Sequence, residues 1–299
     1  MSGCPAGLED VREPRLRWPD SVLPAPDGAD HLVALDVDGT LMTDDGFIST
    51  EAKSLVREIR AAGSHVLLAT GRPLVALLPV ADELGLDDGY LVASNGSVTA
   101  RLGGTQGYEI DDAVTFTAGP ALDLVLHHMP RTLFAVEEVG VGYWVAERFP
   151  DRTIMGRQTV VDLRELEGRT TTRIVAVDAG EPVDALRAGL AELGLSDTHF
   201  SIADLMWMDV APQDVSKASA LERVRVRLGV DERATVAVGD GGNDVEMLRW
   251  AACGVAMGHA AAEVVAAADT VTGSILDDGV AAVLRAVLDR LEGAEPPRR

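Results

Sequence analysis

Asp36 and Asp38 stand two residues apart at the end of the apolar run His31-Leu32-Val33-Ala34-Leu35, followed at once by Gly39-Thr40. A run of this composition reads as a buried parallel strand, and the Asp-x-Asp-Gly-Thr after it as a tight loop. Two carboxylates held that close in a poorly solvated place repel one another unless a cation or a shared proton compensates. A hard, oxygen-seeking ion such as Mg²⁺ suits them, whereas a plain acidic turn would use Asp38-Gly39 only for its backbone.

Other runs repeat the pattern. Leu67-Leu68-Ala69 ends in Thr70-Gly71-Arg72, which supplies a hydroxyl and a glycine whose N–H can approach an oxyanion. Thr235-Val236-Ala237-Val238-Gly239 ends in Asp240-Gly241-Gly242-Asn243-Asp244, and Lys217 precedes an amphipathic segment marked by Leu221, Val224 and Leu228. Asp, Thr and Asp are thus delivered at the carboxyl ends of separate strands, where an open parallel sheet builds its site.

In this order the residues resemble the four motifs of the haloacid dehalogenase-like hydrolase superfamily: Asp36-x-Asp38-Gly39-Thr40, then Thr70, then Lys217, then Gly239-Asp240-x-x-Asn243-Asp244. The long stretch between Thr70 and Lys217 requires an inserted domain rather than a loop. That arrangement is similar to the Cof-like, type IIB subgroup, as are Val92-Ala93-Ser94-Asn95-Gly96, Gly254-Val255-Ala256-Met257-Gly258 and Ala268-Asp269-Thr270-Val271-Thr272. The resemblance runs over about residues 30 to 290 and departs at His259 and Ser274, where the family commonly has Asn.

The resemblance implies an α/β fold, a Rossmann-like doubly wound parallel sheet core with an inserted α+β cap. It implies a Mg²⁺-dependent phosphatase acting on a small phosphorylated metabolite, a sugar phosphate or a phosphorylated cofactor. Asp36 would be the nucleophile and Asp38 the proton donor and acceptor, with Thr70 and Lys217 completing the catalytic set. Mg²⁺ would be held by Asp36, the Asp38 carbonyl and Asp240, with Asp244 supporting it directly or through water. Gly39, Thr40, Gly71, Asn95 and Asn243 would meet the substrate, and Arg72 would either touch it or brace the loop. A sugar phosphomutase, or a regulator that binds a phosphorylated ligand without turnover, are the competing readings.

Residues 1–29 are a Pro-rich extension with no sustained period. Residues 30–96 and 208–299 form the expected core, and 97–207 the cap. Helices are expected over Ser49–Ala62, Pro73–Leu84, Ala220–Leu228, Asp244–Ala252 and Val280–Leu291, and in the cap over Pro120–Met129 and Pro182–Leu193. Cap strands are expected at Ser97–Arg101, Gly107–Ile110, Leu133–Val136, Gly142–Ala146, Arg173–Val177 and Phe200–Met208. His127, His128 and His199 share no metal spacing, and Trp144, Trp207 and Trp250 read as packing residues, Trp207 being the one expected near the junction with the core.

Composition narrows the partners. In 299 residues, Lys+Arg 26 against Asp+Glu 48 gives a net charge of -22, which disfavours nucleic acid. No apolar run reaches the ~20 residues of a membrane span, and the first residues lack the pattern of a secretory signal, so a cytoplasmic location is expected. Cys4 and Cys253 have no partner spacing for zinc or a redox pair.

Overall fold

The computed structural model describes residues 30–104, 107–150, 154–178, 184–202 and 205–293. The N-terminal extension and the last residues of the tail lie outside these, as do the side chains of His199 and Trp207.

The chain first lays down β1 (Leu32–Leu35), α1 (Thr50–Ala61), β2 (His65–Ala69), α2 (Leu74–Leu84) and β3 (Gly89–Ala93), the start of a doubly wound sheet. Ser49 caps α1 by accepting the Ala52 N–H at 3.0 Å, and Gly85 closes α2 in the left-handed region. Pro73 caps α2 from outside rather than forming its first turn.

A hairpin of β4 (Val98–Leu102) and β5 (Tyr108–Ala113) follows. It differs from the sequence expectation: it pairs antiparallel with β3 and extends the core sheet instead of belonging to the cap. Local pattern identifies a hairpin, but its partner is chosen by the free edge of β3.

The insertion then begins with β6 (Phe116–Thr117), α3 (Ala118–His128), β7 (Leu133–Glu138), β8 (Gly142–Val145), β9 (Arg157–Val160), α4 (Leu163–Glu167) and β10 (Thr170–Thr171). It ends with β11 (Ile174–Asp178), α5 (Asp184–Glu192), β12 (Leu195–Ile202) and β13 (Leu205–Pro212). Its sheet has the order β12-β13-β11-β7-β8-β9, and β13 carries it past residue 207 to Pro212. By sheet membership the cap therefore starts later and ends later than 97–207. The short strands β9 and β10 and helix α4 carry too few periodic residues to be read from sequence.

The chain returns through α6 (Lys217–Leu228), β14 (Thr235–Gly239), α7 (Val245–Trp250), β15 (Cys253–Ala256), α8 (Ala262–Val265), β16 (Thr270–Val271) and α9 (Gly279–Gly293). Among the described residues the core sheet runs β16-β15-β14-β1-β2-β3-β4-β5, parallel from β16 through β3. Val33 and Leu35 face one side, with buried residues of α1, α2 and α9, while Leu32 and Ala34 face the other, with α6 and α7. Both faces of β1 are thus covered, which is why its sequence is continuously apolar.

Leu35 pairs with Val238 on one side and Leu68 on the other, so Asp36, Asp240 and Thr70 emerge at one sheet edge. The chain winds away from β1 in opposite directions through β2 and β14, and the site lies at that switch point. In the cap, α3 and α5 cover the sheet face bearing Phe134, Val136, Ile174, Ala176, Met208 and Val210. The alternate residues Ala135, Val145 and Val175 lie in a separate cluster on the opposite face.

Candidate active site

Asp36 follows β1 and is buried, its N–H bonded to the Val238 carbonyl at 3.0 Å. Lys217 stands at the first turn of α6, which Ser216 starts with a capping box. Its buried ammonium donates to Asp36 Oδ1 and to Asp244 Oδ1, each at 2.6 Å. The other oxygen of Asp244 accepts the N–H groups of Asp240 at 3.0 Å and Gly241 at 2.9 Å. Gly239 makes room for this, since a Cβ there would lie 2.5 Å from Asp244 Cγ.

Asp240 accepts the Thr40 hydroxyl at 3.0 Å. Thr40 is fully buried behind the acidic group and supports Asp240, where sequence alone put it with the substrate contacts. Gly39, at φ +79, lies so close that a Cβ would come within 2.4 Å of Asp240 Oδ2. His259 Nε2 is 3.5 Å from the same oxygen, and its Nδ1 accepts the Ile275 N–H at 3.4 Å. Ser274 instead serves its own turn, donating to Asp277 at 2.6 Å.

Asp36, Asp240 and Asp244 can each bring one carboxylate oxygen within 4.8 Å of the others. Burial, then the Asp244 charge, pushes Asp36 up to about 8, against the pull of Lys217. Burial likewise raises Asp240. The Lys217 ammonium loses hydration, but Asp244 and Asp36 more than offset that and hold its proton firmly. With all three carboxylates ionised, one ammonium leaves a formal charge of −3 + 1 = −2, with Asp36 and Asp244 buried and Asp240 half-buried. That deficit and an all-oxygen donor set fit a hard divalent ion such as Mg²⁺.

Asp38 is exposed, outside this group, and Arg72 grips it through Nε–Oδ2 at 2.7 Å and Nη2–Oδ1 at 2.5 Å. Arg72 therefore braces Asp38. Thr70 is buried, and its hydroxyl accepts the Arg72 N–H at 3.1 Å. Asn243 donates to Asn95 Oδ1 at 2.9 Å, and a Cβ on Gly71 would lie 3.1 Å from that oxygen, so the three converge on one rim.

Sequence reasoning missed the turn that carries Asn95. Ser94 and Asn95 take positive φ, 50° and 54°, and a Cβ on Gly96 would meet the Ser216 carbonyl at 2.1 Å, against the root of Lys217. It also missed a second buried group, contributed by the cap. Glu137 accepts Ser94 Oγ at 2.8 Å and Thr172 Oγ1 at 2.9 Å, while Arg173 reaches Asp209 at 3.0 Å and the Gly71 carbonyl at 2.5 Å. Burial raises the Glu137 pKa, with Arg173 opposing. Acidic and basic residues within strands read as solvent-facing until the sheet's surroundings are known.

Arg169 lies over Trp144 at 4.2 Å, Trp250 donates to Glu222 at 2.9 Å, and His127 meets His128 edge to face at 4.9 Å. Among the described residues no helix is long and apolar enough to cross a membrane.

A doubly wound sheet with an acidic, lysine-bearing group at its switch point and a separate cap places the protein among α/β enzymes. Residues 33–284 match the family model of the haloacid dehalogenase-like hydrolases, and the chain belongs to that family. It is 29% identical over 254 residues to the 5-amino-6-(5-phospho-D-ribitylamino)uracil phosphatase YcsE of Bacillus subtilis, covering 85% of this chain and 94% of that one. It is 28% identical to the phosphoglycolate phosphatase of Methanopyrus kandleri, over 87% and 98% of the two chains. The fold is that of the subclass IIB sugar phosphatase BT4131, with a TM-score of 0.70 at 22% identity, covering 86% of this chain and 98% of that one. The protein is therefore a haloacid dehalogenase-like hydrolase, and the relatives it matches are named as phosphatases.

Proposed function

We propose that the chain hydrolyses a small phosphorylated metabolite, of the sugar phosphate or phosphorylated cofactor class, through an aspartyl-phosphate on Asp36 with Mg²⁺ as cofactor. The observation that carries this reading is the buried Asp36 carboxylate, held by Lys217 at 2.6 Å, within reach of the further carboxylates of Asp240 and Asp244. The two relatives named for particular phosphate esters, a ribitylaminouracil phosphate and phosphoglycolate, support the substrate class.

Asp36, the Asp38 carbonyl and Asp240 would hold Mg²⁺, with Asp244 supporting it directly or through water while it orients Lys217 and the Asp240 loop. Bound there, the ion would supply positive charge that offsets the charge of the phosphoryl group. Lys217 fixes one Asp36 oxygen, so the carboxylate is oriented before it attacks phosphorus. Released from Arg72, Asp38 takes a proton from solvent, and as the new O–P bond forms and the ester O–P bond breaks it hands that proton to the leaving alkoxide. A carboxyl in that role must release a guanidinium, so substrate entry exchanges Arg72 for the leaving oxygen. The same Asp38 then takes a proton from water as the water cleaves the acyl phosphate, freeing phosphate and restoring Asp36. Lys217 and the Gly71 N–H carry the phosphoryl charge.

Acid quench during turnover of a phosphomonoester, followed by peptide mass spectrometry, tests the covalent step. The expected result is a phosphoryl group on the peptide bearing Asp36, absent from Asp36→Asn. Steady turnover by Asp36→Asn would overturn it.

A further inference from the structure

The Thr70-Gly71-Arg72 loop is fixed from behind through three successive carbonyls. Thr70 O accepts the Asn95 N–H at 3.0 Å and Arg72 O accepts the Ser94 N–H at 2.9 Å, both from the core. The middle carbonyl, Gly71 O, is held by Arg173 Nη1 at 2.5 Å, a residue of the cap. The turn that supplies the other two clamps is itself held by the cap, since both Glu137 oxygens accept Ser94 Oγ, at 2.8 and 2.9 Å.

This contact is built for precision. Arg173 spans Asp209 and Gly71 O with its two terminal nitrogens, and a planar fork between two fixed acceptors determines both position and angle. Asp209 pairs with Val175 in register, and Glu137 with Tyr143, which directs these polar side chains to the face opposite α3 and α5. Ser94 and Asn95 sit at positive φ, a conformation that non-glycine residues keep only where their surroundings impose it.

We infer that Arg173 and Glu137, carried by the cap, are positioning residues for the core's phosphate-binding loop: they hold the Gly71 carbonyl and the Ser94 hydroxyl so that the Gly71 N–H faces the phosphoryl group while the cap is seated. Cap seating and phosphate binding are then one event, joined through Gly71, whose carbonyl the cap holds and whose own N–H, in the preceding peptide, meets the phosphoryl group. The catalytic part of this inference rests on the phosphatase mechanism proposed above, and the structural part does not.

Two variants test it. Arg173→Met/Asp209→Leu removes both charges of the buried pair, an exchange that folded proteins often tolerate. Arg173→Lys keeps the charge and loses the fork. The readouts are hydrogen exchange at the Arg72, Ser94 and Asn95 amides, and kcat and KM on p-nitrophenyl phosphate. In the folded double variant, exchange at these amides rises at least about tenfold while β14 keeps its protection. Its kcat falls about 10²-fold, as a misplaced binding group demands. Arg173→Lys moves both readouts in the same direction by less, and it decides the matter if the double variant does not fold. Exchange and kcat at wild-type levels in either folded variant overturn the inference. Should the wild type release no phosphate from any phosphomonoester, the proposed function fails, and the exchange measurement alone decides the clamp.

Discussion

Two buried clusters in this molecule place one cation among carboxylates, and they are finished differently. In the core, Lys217 faces Asp36 and Asp244 with Asp240 beside them, leaving negative charge unmatched. At the base of the cap, Arg173 pairs with Asp209, and Glu137 is capped by the hydroxyls of Ser94 and Thr172. Burial raises the carboxyl pKa in both places, at Asp36 and at Glu137. The cap cluster answers the cost of burial with hydrogen bonds, while the core cluster keeps a charge deficit that a metal ion and a phosphoryl group can use. The difference separates a site made to hold its shape from one made to bind.

The largest expected effect comes from widening that deficit. Lys217→Met leaves three carboxylates without their ammonium, and breaking a buried pair on one side costs about 3–5 kcal/mol of stability. Turnover falls by about 10²–10³-fold, the scale for removing one group that stabilises transition-state charge. Urea denaturation and steady-state kinetics measure the two losses; unchanged turnover would remove Lys217 from the mechanism.

A smaller effect is expected at the cap. Thr172→Val takes one hydroxyl from Glu137 and leaves the carboxylate short of a donor, at a cost of about 1–3 kcal/mol in urea denaturation. A loss as large as that of Lys217→Met would mean that the cap cluster, too, lacks spare hydrogen bonds.

The same contrast explains what the sequence made legible. Asp36, Thr70 and Asp240 close apolar runs, and a carboxylate or hydroxyl after such a run marks the edge of a buried sheet. Lys217 was legible only through the order of the four motifs, because a lysine at a helix start is ordinarily solvated. Glu137, Arg173 and Asp209 were not legible: their burial depends on the cap resting against Gly71 and Ser94, which no local pattern encodes. Nor did pattern tell that Val98–Leu102 would pair with β3, since pairing is decided by a free edge far from the turn. Thr40 shows the converse, a motif residue whose hydroxyl turns to Asp240.

The most direct measurement is thermal denaturation with Mg²⁺ or EDTA at equal ionic strength, at pH 5 and pH 8, for the wild type and Asp240→Asn. Asp36 is raised from its ordinary 3.8 to about 8, so without a cation the folded state binds protons more tightly than the unfolded one. Stability contributed by this group therefore falls as pH rises across that interval. Mg²⁺ replaces the protons, so its stabilisation grows over the same interval. The account predicts a rise in Tm with Mg²⁺ that is larger at pH 8 than at pH 5 and is lost in Asp240→Asn. A wild-type Tm that ignores Mg²⁺ at pH 8, or gains equally at both pH values and in the variant, would contradict the claim that the core cluster is built to take a divalent ion.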